Sequence, residues 1–338
     1  MMTPRERVMA ALEGRPVDRP PIAFWGHIYD RESSAEDLVQ ATLEFQRTYH
    51  WDWIKLNPRK HYHVEPWGVA YRYSGRRNEK PVLEHWPIHA PEDWRKIADR
   101  PIDRGAFAEQ LTAVRLMRKA LAADVPLIAT MFTPLAVLGE MTEVPETLRA
   151  HMDQSPELVR GALEAVTRTF ERFAPALIEA GADGIFFATV DWGTRDTLTP
   201  EDHTRWSLEA DRRILATVAG APFNVLHVCK PRNLVLELSN YPVRAFSWAA
   251  TDPTNPTLAQ VLARTKAAVM GGVSYEGPLL EARPDAAVAE LRRAFEDTGG
   301  RRWLAAPGCS IPPATPAATL RALRDAVETL VPSHERSP

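Results

Sequence analysis

The chain has 338 residues, a formal net charge of −3, 45% hydrophobic residues, 25% charged residues and two cysteines. That length exceeds the usual domain of about 100–200 residues, although α/β barrels commonly run past 250 as one unit. The near-neutral charge leaves no footprint for nucleic acid or an anionic membrane, and two cysteines exclude a disulfide framework. Apolar runs such as VPLIATMF stop well short of the roughly 20 residues that a membrane span needs.

The first element is a capped helix rather than a targeting segment. Thr3 is the N-cap, Pro4 occupies the first helical position, Glu6 completes a capping box and Gly14 stops the helix. With no signal-peptide pattern, the expected setting is cytoplasmic and reducing. Short β-branched or apolar runs then recur as PPIAFWGH (20–27), WDWIKLN (51–57), VPLIATMF (125–132), DGIFFATV (183–190), PFNVLHVC (222–229), RAFSWAA (244–250), AAVMGGVSY (267–275) and RWLAAPGC (302–309). Segments of helical periodicity alternate with them, at 35–49, 156–180, 200–219, 258–266, 285–298 and 316–330. Eight strands alternating with helices predict an α/β fold, a single (β/α)8 TIM barrel with an N-terminal capping helix. No GxGxxG follows the first strand, as a doubly wound sheet would favour. The stretch 58–105 interrupts the rhythm between strands two and three; its alternation around Ser74-Gly75 predicts a hairpin, and its position predicts a lid over the barrel mouth. No linker divides the chain, so residues 1–338 are expected to form one domain with 58–105 as an insertion.

In such a barrel the chemistry sits at the carboxyl ends of the strands. Those ends present Trp25 and His27, then Asn57 with His61 and His63 beyond it, then Asp191 and Trp192, His227 and Cys229, Tyr275 and Glu276, and finally Cys309. His227 and Cys229 are two apart and therefore share a strand face, and Cys309 closes the last strand 80 residues later. An imidazole and two thiols converging on one rim suit Zn²⁺, and three protein ligands leave the open position typical of a catalytic site. Two thiolates and a neutral imidazole offset the +2 charge, so a substrate thiol bound in the open position would stay deprotonated and nucleophilic. That points to alkyl transfer to or from sulfur. Asp191 and Glu276, with Asp252 behind them, are the acids placed to complete the set or to act in catalysis. Lys55 faces the interior if the strand register holds, where it would position an anionic group. Trp25, Trp67, Trp192 and Trp248 either line a methyl-donor site or pack beneath loops, and the HYH pair is expected on a solvated loop.

These residues resemble the uroporphyrinogen decarboxylase-like superfamily along nearly the whole chain. The likeness is carried by RERVMAALEGRPVDRPPIAFW at the start, TLTPEDHTRW after the fourth strand, MGGVSYEGPL, and APGCSIPPATPAATLRALRDAV at the end. It implies a (β/α)8 barrel. The decarboxylases carry an RQAGRY-type segment after strand one and a catalytic Asp after strand two. Here those places read GHIYDRES and LNPRKHYH, with only Arg59 and Asp30 nearby. The His-x-Cys…Cys pattern is instead similar to the zinc-dependent corrinoid:thiol methyltransferases, and comparable to the zinc set of cobalamin-independent methionine synthase.

Carried over, the resemblance implies His227, Cys229 and Cys309 as zinc ligands. Asp191 and Glu276 are then catalytic candidates, and Trp25, His27, Asn57, Trp192 and Tyr275 substrate-binding candidates. It implies a small thiol or methylated small molecule as substrate, and a corrinoid such as methylcobalamin, free or on a corrinoid protein, as methyl donor or acceptor. The chain would act as a monomer or homodimer. Two rival readings are a metal-free decarboxylase of an anionic substrate and a non-catalytic barrel that merely binds corrinoid or thiol.

Overall fold

The computed structural model describes residues 1–331; residues 332–338 of the expected domain lie outside the described residues. The opening helix α1 (Pro4–Glu13) carries the expected capping box between Thr3 and Glu6, and Gly14 ends it in the left-handed region at φ +71°. Helix α2 (Ala35–Tyr49) is capped by Ser34, whose side chain accepts from the Asp37 N–H. It leads into β1 (Ile54–Leu56), which is buried throughout.

The insertion holds the antiparallel pair β2 (Ala70–Arg72) and β3 (Val82–His85), the hairpin read from the alternation around Ser74-Gly75. Helix α3 (Gly105–Ala120) and strand β4 (Leu127–Phe132) follow. Next come α4 (Pro134–Glu140), α5 (Pro145–Gln154) and α6 (Pro156–Glu179). The remaining units are β5 (Gly184–Ala188), α7 (Pro200–Trp206), α8 (Leu208–Thr217), β6 (Val225–His227) and β7 (Ala245–Ser247). After these lie α9 (Leu258–Leu262), β8 (Ala268–Val273), α10 (Pro284–Thr298), β9 (Trp303–Pro307) and α11 (Ala317–Val327).

Strands β1, β4, β5, β6, β7, β8 and β9 form one parallel sheet in that order, so each strand pairs with its successor in the chain apart from the inserted hairpin. Both faces are covered, and the strands are therefore continuous apolar runs rather than alternating ones. The single helix expected over 200–219 is divided at Ser207, whose hydroxyl donates to the buried carboxylate of Asp211. The helix expected over 258–266 ends at Leu262. Among the described residues, no helix is long and apolar enough to cross a membrane.

The predicted first strand, 20–27, differs most from expectation. It is extended but makes only isolated bridges, Ile22 to Ala305 and Gly26 to Ile311. Pro20 and Pro21 have no N–H to donate, so a regular ladder cannot form there. The segment still reaches both edges of the sheet. Toward β9, the Ala305 N–H donates to the Pro21 carbonyl at 2.9 Å and the Ala23 N–H to the Ala305 carbonyl at 3.2 Å. Toward β1, the Asp52 N–H donates to the Ile22 carbonyl at 2.9 Å. A Cβ on Gly26 would lie 2.6 Å from the Ile311 carbonyl oxygen, so this approach needs glycine.

The Asp52 carboxylate compensates for the missing ladder. It accepts from the Ile22 N–H at 2.8 Å, from Arg19 at 2.6 and 3.1 Å, and from Arg7 at 2.7 Å. All three charged side chains are buried. Removing this carboxylate strips the Ile22 N–H of its acceptor and each arginine of its buried partner, leaving Arg7 with Asp18 and Arg19 with Glu328, at a cost of about 3–5 kcal/mol. Asp52→Ala is therefore expected to lower stability by about that amount, read as a fall in the urea or thermal midpoint; an unchanged midpoint would show that the arginines find other partners.

Candidate metal centre

The ligand atoms of His227, Cys229 and Cys309 all lie within 4.8 Å of one another. His227 ends β6, and Cys229 follows two residues later on the same face, while Val228 between them points into the core. Cys309 arrives from the far edge of the sheet, just past β9. Its placement depends on Gly308, where a Cβ would come within 2.7 Å of the Ala249 Cα. The sequence places Cys309 on a different βα unit from His227 and Cys229, and the parallel sheet brings them to one rim.

The imidazole is fixed from behind. His227 Nδ1 lies 3.1 Å from the Ser247 hydroxyl on β7, its direct cross-strand partner, and the ring stacks on Phe186 with centroids 4.9 Å apart. With Nδ1 engaged, Nε2 is the nitrogen free to meet the sulfurs. Cys229 donates to Cys309, and this hydrogen bond pulls the Cys309 thiol well below the usual thiol range. His227 and the Ser310 N–H add to the effect, against the opposing influence of burial. The same bond, together with burial, pushes the Cys229 thiol well above its ordinary value. The two thiols are therefore driven in opposite directions, Cys309 toward the thiolate and Cys229 away from it. Two sulfur donors beside an imidazole fit a thiophilic divalent ion, Zn²⁺ above all.

The other sequence-derived candidates fall around this centre in distinct roles. The Asp191 carboxylate pairs with Lys230 at 2.6 Å, Glu276 is exposed at the rim, and the Asp252 carboxylate accepts from Thr254. None of the three acids belongs to the close cluster. Tyr275 is half-buried; burial, with the negative charge of Glu276 and Cys309, pushes its hydroxyl up to about 12. Trp25 is buried edge-on to Phe186 at 5.5 Å. His27 is tied to Glu32 through Nδ1 at 2.9 Å and stacks on Tyr29.

Trp192 is buried with its indole directly over the Gly139 backbone of α4. Trp67 and Trp248 donate to the Ala98 and Pro256 carbonyls as packing residues. His61 and His63, expected on a solvated loop, are instead buried, each 3.1 Å from the same Glu140 oxygen. That glutamate comes from α4, remote in sequence, and nothing local to HYH announces it. Ser247 was likewise not singled out, although a serine at an inward strand position opposite His227 is the signal that would have found it.

Lys55 on β1 and Asn57 just past its end are two apart on one face and both 6% exposed, so the register that aims Lys55 inward holds. Lys55 Nζ donates to Asn57 Oδ1 and lies 4.6 Å from the Phe186 ring centroid and 5.7 Å from that of Trp25. Burial lowers the Lys55 ammonium to about 7, partly countered by negative charge at Cys309 and Cys229. Phe186 therefore touches both Lys55 and His227.

A family model described as Uroporphyrinogen decarboxylase (URO-D) matches residues 3–330. A methylcobamide:CoM methyltransferase of Methanosarcina barkeri is 25% identical over 339 residues, covering 95% of this chain and 96% of that protein. A uroporphyrinogen decarboxylase of Geobacter sp. (strain M21) is 29% identical over 182 residues, which is 52% of this chain and 50% of the relative. Among solved structures, a methyltransferase from Methanosarcina mazei superposes with a TM-score of 0.82 at 24% identity, covering 97% of this chain and 99% of that one. A B12-independent methionine synthase from Shewanella sp. W3-18-1 gives a TM-score of 0.59 at 11% identity, over 92% and 96% of the two chains. These two likenesses show the fold.

The unequal thiols have a direct readout. In chelator-treated protein, iodoacetamide at pH 6–7 is expected to alkylate Cys309 roughly tenfold or more faster than Cys229, because the thiolate is the reactive form. Site-resolved mass spectrometry measures the ratio, and equal rates would remove the asymmetry.

Proposed function

The chain belongs to the uroporphyrinogen decarboxylase family, and on that premise we propose that it is a zinc-dependent methyltransferase moving a methyl group to or from a small thiol, with a corrinoid as methyl carrier. The observation that carries this reading is the convergence of His227, Cys229 and Cys309 within 4.8 Å at the barrel rim. It is supported by a relative matched along nearly its full length, a methylcobamide:CoM methyltransferase.

His227, Cys229 and Cys309 would hold the ion. Bound Zn²⁺ would supply Lewis acidity that keeps a substrate thiol deprotonated at neutral pH. Ser247 and Phe186 hold the His227 ring in the orientation that presents Nε2. Lys230 neutralises Asp191, leaving this carboxylate outside the donor set at rest. Phe186 stacks on His227 and Trp25 packs edge-on against Phe186, and in this reading that apolar ring surface helps keep water from a nucleophilic thiolate. The hairpin of β2 and β3 is tethered through the Tyr73 hydroxyl to buried Glu32 at 2.8 Å, and in this reading it covers the mouth.

The decarboxylase alternative requires free arginines facing the pocket. Arg59, the nearest arginine to the second strand end, is consumed by Glu65 and by Glu109 at 3.0 Å.

Purified protein is expected to hold about one Zn²⁺ per chain, and incubation with methylcobalamin and a small thiol should consume methylcobalamin and yield the thioether. Cys229→Ser and Cys309→Ser should each lose both metal and turnover. Ser247→Ala should retain both ligand sulfurs yet weaken zinc by roughly 10–100-fold, as loss of a ligand-orienting hydrogen bond does. Full activity after metal removal, or release of CO2 from an anionic substrate, would overturn this reading.

A further inference from the structure

The extended segment 20–27 carries a histidine whose outer nitrogen the protein leaves unused. Trp25 and His27 are two apart and share a face. Trp25 marks that face as the interior, because its ring centroid lies 5.5 Å from that of Phe186 and 5.7 Å from Lys55 Nζ, and Phe186 stacks on His227. His27 is one strand step nearer the mouth. The Ile311 N–H donates to the Trp25 carbonyl at 2.9 Å, so this step runs beside the residues that follow Cys309.

The far side of the ring is held firmly. Nδ1 lies 2.9 Å from Glu32 Oε2, and the imidazole stacks on Tyr29 with centroids 5.0 Å apart. Glu32 is fully buried, and burial alone would raise its carboxyl. Bonds from His27, from the Tyr73 hydroxyl at 2.8 Å and from the Lys60 N–H at 3.1 Å hold it below its ordinary value instead. An ionised Glu32 accepts only, so in the neutral ring Nδ1 carries the proton and Nε2 keeps a lone pair. Nε2 has no partner among the described residues, and the side chain is 19% exposed. Around the dyad stand Tyr29 from its own segment, Tyr73 from the hairpin, and Lys60, whose ammonium feels the Glu32 charge.

A thiol that reacts as thiolate must first lose its proton. Of the acids near the rim, Asp191 is already paired with Lys230 at 2.6 Å and Glu276 is exposed.

We propose that His27 is the catalytic base for the thiol, its Nε2 taking the proton as the sulfur enters the site, with Glu32 as the positioning residue behind it. The proposal rests on the thiol reading above and deepens it. The S–H bond breaks with its electron pair left on sulfur, and an N–H bond forms at Nε2. Methyl transfer moves no further proton, and the imidazolium returns its proton to solvent afterwards. The Glu32 carboxylate offsets the ring's positive charge in the interval and fixes its orientation.

The test uses the zinc-loaded full chain with methylcobalamin and two thiols of similar size, 2-mercaptoethanol and 2,2,2-trifluoroethanethiol. The pH is set so that the first is mostly thiol and the second mostly thiolate. His27→Asn keeps an N–H for Glu32 and removes Nε2. It should retain zinc, lower kcat for 2-mercaptoethanol by about 100–10,000-fold, and lower kcat for trifluoroethanethiol by less than about tenfold. The acid limb of kcat against pH, where a protonated Nε2 cannot accept, should disappear in the variant. Calorimetry of 2-mercaptoethanol binding in two buffers of different ionisation heat counts protons without turnover; the variant should release about one more per thiol bound than wild type. Glu32→Gln should show the same thiol-dependent loss to a smaller degree, and it keeps the test open if His27→Asn does not fold. Equal loss with both thiols, loss of zinc in His27→Asn, or an unchanged proton count would overturn the base while leaving the thiol reading intact. Wild type that binds neither thiol and consumes no methylcobalamin would sink the thiol reading and the base with it.

Discussion

Closure of the sheet onto its own first segment depends on one buried carboxylate. Two successive prolines deprive residues 20–27 of the ladder that would join them to their neighbours, and Asp52 replaces it with charge-assisted bonds to Ile22, Arg19 and Arg7. The same residue returns its own N–H to the Ile22 carbonyl. Because Arg7 lies on α1, the N-terminal helix is drawn into the same cluster. This contact reinforces the backbone hydrogen bonds by which segment 20–27 bridges the edges carrying β1 and β9.

From that closure the site's electrostatics follow. The two sulfurs meet because β6 and β9 both deliver them to one rim, and their proximity drives them apart in acidity, Cys309 downward and Cys229 upward. Ser247 selects the free nitrogen of His227, and Phe186 supports the ring on one face. A Uroporphyrinogen decarboxylase family model spans residues 3–330, and the relatives include both methyltransferases and decarboxylases. Fold alone therefore does not choose between chemistries. The donor atoms gathered at the rim are two sulfurs and an imidazole nitrogen, and Arg59 is already engaged.

Much of this arrangement was legible in the sequence because it rests on local rules. The capping box at Thr3 and Glu6, the extent of α2, and the shared face of His227 and Cys229 follow from hydrogen-bond complementarity and strand parity. The hairpin followed from its alternation. Features that depend on tertiary partners were not legible. The extended segment 20–27 reads as a strand by its apolar run, yet its prolines leave only isolated bridges. Helix 200–219 breaks where Ser207 turns to Asp211, a buried acid that also accepts from Tyr241, far along the chain. His61 and His63 look like loop residues until Glu140 arrives from α4. Ser247 matters only because its register partner is His227.

The order of the donors along the chain has its own consequence for biosynthesis. Two of the three emerge from the ribosome together, and the third follows 80 residues later, after two further βα units. A nascent or truncated chain that stops short of Cys309 offers an ion only an incomplete grip. A ligand set drawn from distant segments is assembled only in the native state, so ion capture would draw the folding equilibrium toward the finished ring. Under the zinc proposal, a chain lacking Cys309 would hold the ion through only two of its three protein donors.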